Sequence, residues 1–152
     1  MSQKHDVASV LERETKATID NWYMRVEAEL DLASVPLSRK DRCAHLPEMF
    51  RDLVDRLRNP LPLGTRALTS AAAQRHGRLR RDQGYSAAMM VEESRMLQVS
   101  IFQALQLHVE DTESGVLLLY VMVIADEVDS QLAQAMTSYI SVASTDSKPI
   151  EV

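Results

Sequence analysis

An all-α fold, an up-and-down bundle of about five helices, follows from three features of this sequence. Apolar residues recur at three- and four-residue steps through most of the chain. Prolines and glycines cut that pattern into separate segments, and no stretch carries the period-two alternation of a strand. No internal repeat is visible.

The composition suits such a bundle. A chain of 152 residues has a single-domain length, enough to remove roughly 70% of its unfolded surface from water. We expect one helical domain over residues 1–145 and a disordered tail over 146–152. With 45% hydrophobic and 26% charged residues, four glycines and five prolines, the composition excludes collagen-like, low-complexity and strongly disordered classes. A net charge of -5 has the wrong sign for gripping phosphate backbones, so nucleic acid is not an expected partner. The single cysteine, Cys43, permits no internal disulfide, and the start MSQKHDVASV lacks the apolar run of a secretory signal. Both features predict a cytoplasmic protein. The longest apolar run, Val116 to Ala125, is half of the roughly 20 residues a membrane-crossing helix needs, so no membrane span is expected.

Asp6 or Ser9 is placed to cap the first helix, Ser9 having Glu12 three residues later, and helix formers continue through Leu32. Leu11, Thr15, Thr18, Ile19, Trp22, Tyr23, Val26 and Leu30 form its apolar stripe. Trp22 reads as a core anchor rather than a ligand-stacking ring. After Val35-Pro36, Ser38 with Asp41 resembles a capping box for a short turn, and Pro47 starts a new helix because it needs no intrahelical donor there. Met49, Phe50, Leu53, Val54 and Leu57 then face inward, and Asp52 and Arg56 are expected to pair outside. Asn59 to Gly64 is a rigid connection.

From Thr65 the helical period returns, with Leu68, Ala72, His76 and Leu79 on one line. Gly77 costs this helix about 1 kcal/mol relative to alanine, which implies close approach by another backbone or by a ligand. Arg75, Arg78, Arg80 and Arg81 surround that turn. Gly84 supplies a left-handed stop, and Ser86 caps the next helix, running to about Val109. Met90, Ser94, Leu97, Ile101, Leu105 and His108 form its inner row; Glu92 can pair with Arg95, and Glu93 can meet the preceding arginines. A last helix from Thr112 or Ser114 to about Val142 is apolar on all sides between Val116 and Ala125, as in a helix buried in a bundle or shared by two subunits.

The chemistry-bearing residues gather near His76. The candidate ligand-binding set is His76, Arg78, Arg81, Glu92 and Arg95, an inward histidine beside a cluster able to bind an anion. Against this stands the ordinary behaviour of charge runs, which form solvated faces or pair with nearby acids. The four histidines and one cysteine show no metal-ligand spacing, so no metal is expected. Haem is an alternative cofactor through His76 or His108, weighed against a histidine satisfied inside the core. Phosphotransfer on His76 is a further alternative, although the acidic neighbour and following proline of kinase dimerisation helices are missing. Met89, Met90 and Met96 read as core fillers before a partner surface.

Three segments, HLPEMFRDLVDRL, AAAQRHGRLRRDQGY and the run Glu92-Glu93-Ser94-Arg95, together with the pattern around Trp22, resemble the RsbRD N-terminal domain family. The resemblance covers about Val10 to Tyr139. It implies a non-catalytic sensory or protein-interaction module of the kind that stands before the output domain of bacterial stress regulators and sensor histidine kinases, without a cofactor. A homodimer and a downstream or separate output domain are the implied partners. No STAS, kinase or cyclase segment follows Val152, so the expectation is an input region on its own or a free-standing relative. By analogy with related stress regulators, a globin-like helical arrangement is the alternative fold.

Overall fold

A computed structural model describes residues 6–65, 69–108 and 114–146. Among these, every regular element is a helix: α1 (Val7–Arg13), α2 (Thr15–Ala28), α3 (Leu30–Ala33), α4 (Arg39–Arg42), α5 (Leu46–Arg58), α6 (Ala71–Asp82), α7 (Ala87–His108) and α8 (Ser114–Asp146). The fold is therefore all-α. More segments are seen than expected because the first helix breaks at Glu14 and Glu29, and because the capped turn before Pro47 is itself a one-turn helix. At the first break the Thr15 hydroxyl bonds the carbonyls of Leu11 and Glu12, competing with the backbone ladder. At the second, Glu29 turns extended, which sends Leu32 inward and leaves Leu30 85% exposed, contrary to its place on the expected stripe.

The caps follow local chemistry. Asp6, not Ser9, caps α1; its carboxylate accepts from the Ala8 amide at 3.3 Å and from the Ser9 hydroxyl at 2.6 Å. Ser38 caps α4 through the Asp41 amide at 3.1 Å, and Pro47 occupies the first turn of α5. α6 begins later than expected: Thr65 and Thr69 are not helical, and Ser70 caps at the Ala73 amide. Leu68, Val109, Thr112 and the expected tail beyond Asp146 lie outside the described residues.

α8 lies along α6 and also touches α5 and α7; α7 takes α2 on another side, and α1 rests on α5. Trp22, Leu53, Met90, Ile101 and Ile124 fill the space between them. Two expected positions are corrected. Arg56 is buried rather than paired with Asp52 outside: its guanidinium meets Asp126 at 2.8 Å and Glu127 at 3.4 Å on α8, while Asp52 accepts from Ser70 Oγ. His108 lies at the solvent-facing end of α7, 3.6 Å from Glu14, because the apolar row stops at Leu105. The run from Val116 to Ala125 buries Val123 and Ile124 but leaves Val116, Leu118, Leu119 and Met122 exposed.

Gly77 is explained by the α6–α8 crossing. A Cβ there would collide with the Ala135 carbonyl oxygen and lie 2.9 Å from Ala135 Cα. The close approach foreseen from the sequence is made by a backbone. In an open helix, Gly→Ala stabilises by about 1 kcal/mol. Here the obstacle is main chain, so Gly77→Ala should instead destabilise by about 1–3 kcal/mol in urea denaturation; a stabilised variant would contradict this packing.

Candidate functional site

The interior near His76 is built on two helical registers. His76 and Arg80 stand four apart on α6 and so share one face; Met90, Glu93 and Leu97 share one face of α7. Both faces are buried, with Arg80 0% and Glu93 3% exposed. The Glu93 carboxylate lies 2.6 Å from His76 Nε2 and accepts from Arg80 Nε at 3.0 and 3.2 Å. Arg80 spends its other donors on the Arg42 carbonyl and on Gln83 Oε1, and its guanidinium stacks over the Tyr85 ring. The backbone of the same glutamate is used too, since Trp22 Nε1 donates to the Glu93 carbonyl at 2.9 Å.

A second shell of bonds fixes the turn between α6 and α7. Gly84 has φ +92°, the left-handed stop foreseen. It delivers Tyr85 into the core, where the phenol accepts from Arg42 Nη1 at 2.6 Å and the carbonyl accepts from the Tyr139 hydroxyl at 2.7 Å. Arg42 is 1% exposed and also donates to the Val35 carbonyl. One buried polar layer thereby ties α2, α4, α6, α7 and α8.

Burial by itself would push the Glu93 carboxyl up, but the positive charge and donated bonds of His76 and Arg80 hold it below the ordinary value of 4.5. Tyr85 moves the other way: burial, then the nearby Glu93 charge, push its phenol up to about 12. His45 faces His76 edge-on at 6.2 Å, and burial followed by the charges of His76 and Arg75 lowers its pKa. In the separate α5–α8 cluster, burial raises the Glu127 carboxyl, against the pull of Gln131 and Arg56.

The five expected ligand-binding residues do not converge. His76 is in the core; Arg78 is exposed; Arg81 leaves the layer to donate to the Tyr139 hydroxyl at 3.1 Å and cover its ring. Glu92 and Arg95 pair with each other at 2.7 Å outside. The open hollow they border, about 410 Å³, also has Glu29 and Asp31 on its walls, an acidic setting for an anion. Arg80, Glu93, Arg42 and Tyr85 stand outside the expected set. The first two were accessible from helical spacing, four from His76 and three from Met90; the last two required the tertiary fold.

A cavity of about 20 Å³ lies against His76, Glu93 and Gln131, walled by Trp22, Met90 and Ala135. That is room for about one water molecule. Among the described residues no group of three or more His, Cys, Asp or Glu is arranged to hold a metal ion, and no helix is long and apolar enough to cross a membrane. Compared with known protein families, with curated proteins and with solved structures, the chain matches none.

Removing one partner of a buried ion pair strands the other, which costs about 3–5 kcal/mol. Glu93→Gln should lose stability of that order in urea titration. The sign with pH follows from the lowered carboxyl: its stabilisation is full above 4.5 and drains as pH falls through the lower folded value. Wild type should therefore lose more stability than Glu93→Gln on acidification; equal acid arms would contradict the clamp.

Proposed function

We propose that this chain is a non-catalytic input or interaction module, cytoplasmic and homodimeric, that relays a signal through α8 to an output domain of the kind found in stress regulators or sensor histidine kinases. The observation that carries the reading is the place of α8. Its 33 residues, about 50 Å of helix, contact α5, α6 and α7 and are fastened at the middle by Arg56 and near the far end by Tyr139. A shift anywhere in the buried layer must move this rod or break those bonds. The motif resemblance to RsbRD N-terminal domains points the same way.

The other readings fit the geometry less well. A phosphoacceptor histidine must meet a kinase, whereas His76 is 6% exposed with Nε2 held by Glu93. Haem or an anion at His76 would require the helices to part, since ligand sites ordinarily hold about 300–1,000 Å³ and the cavity there is about 20 Å³.

The relay is testable by joining the chain through α8 to a histidine-kinase core and measuring autophosphorylation. Glu93→Gln, acting in the input module alone, should change the output at least about fivefold, the low end of ordinary allosteric coupling. Equal rates for both fusions would contradict the relay.

A further inference from the structure

Two runs of this chain carry no charged residue: 96–107 on α7 and 114–125 on α8. In a chain that is 26% charged, surfaces facing water ordinarily carry charges within a turn or two. These runs are not wholly inside. Leu118, Leu119 and Met122 fall on one stripe of α8 and are 59%, 53% and 44% exposed, and Val99 on α7 is 37% exposed. Between the helices runs an open apolar groove of about 230 Å³, with Phe102 and Val121 on its walls.

We propose that a second copy of this chain covers this band, packing α7 and α8 of one protomer on those of the other about a two-fold axis; the assignment rests on the dimeric part of the function proposed above. Charge decides the occupant. Each copy carries a net charge of -5, so two copies repel wherever charged faces approach. Near a two-fold axis a patch meets itself, and any charge on it would face its own like. A patch built to meet itself is therefore best left uncharged, as this one is. A different protein would more ordinarily be selected by complementary charges, and the band offers none. The stripe also ends where self-association would become unfavourable, at Asp126 and exposed Asp129.

The experiment is light scattering of the full chain at high micromolar concentration, alongside Leu118→Glu/Met122→Glu and, as a control outside the band, Ile140→Glu. Ile140 is 56% exposed on α8, so none of these changes enters the core; circular dichroism checks that each variant remains helical. Wild type and Ile140→Glu should have twice the 17.1 kDa chain mass, and the double variant should associate at least about tenfold more weakly. A monomeric wild type overturns both the band and the dimer. A dimeric wild type whose double variant stays dimeric overturns the band alone and leaves the dimeric input module standing.

Discussion

The structure depends on one buried carboxylate. An isolated glutamate in a protein interior is strongly unfavourable, so Glu93 requires cationic donors at short range. Both come from α6, through His76 and Arg80, and that requirement sets how α6 lies beside α7. The turn between them must then be tight. Gly84 permits it, and Tyr85 and Arg42 seal it from water. With α6 held there, α8 comes close enough that Gly77 leaves no space for a side chain against Ala135.

Polar groups on this scale inside a helical bundle are not an efficient source of stability, because much of their attraction offsets lost hydration. Their effect is selective. Leucine and methionine contacts tolerate small slips between helices, whereas a carboxylate shared by a histidine and an arginine does not. The Arg56 cluster repeats the device at the α5–α8 contact, with Asp126, Glu127 and Gln131. Together the two clusters register α8 against its neighbours, which gives the proposed relay a rigid part to move.

Local features of the fold were legible because they obey local rules. Periodicity exposed the helices, Ser38, Pro47, Gly84 and Ser86 marked ends, and the anomaly of Gly77 announced a close contact without naming its partner. What escaped depended on distance in sequence. Arg56 was expected to face water because Asp52 stood one turn away, yet its partners lie 70 and 71 residues further on. Density of charge drew the expected site toward Arg78, Arg81, Glu92 and Arg95, whereas helical phase, a better guide, pointed to Arg80 and Glu93. His108 misled for the opposite reason: its phase was apolar, but the helix had already reached solvent.

The central claim, that Glu93 is an ionised carboxylate clamped in the core, is tested most directly by following its side-chain carboxyl carbon by NMR through an acid titration of the folded protein. The account predicts that Glu93 remains ionised below 4.5, the ordinary glutamate value. Protonation at or above that value, with the fold intact, would contradict it.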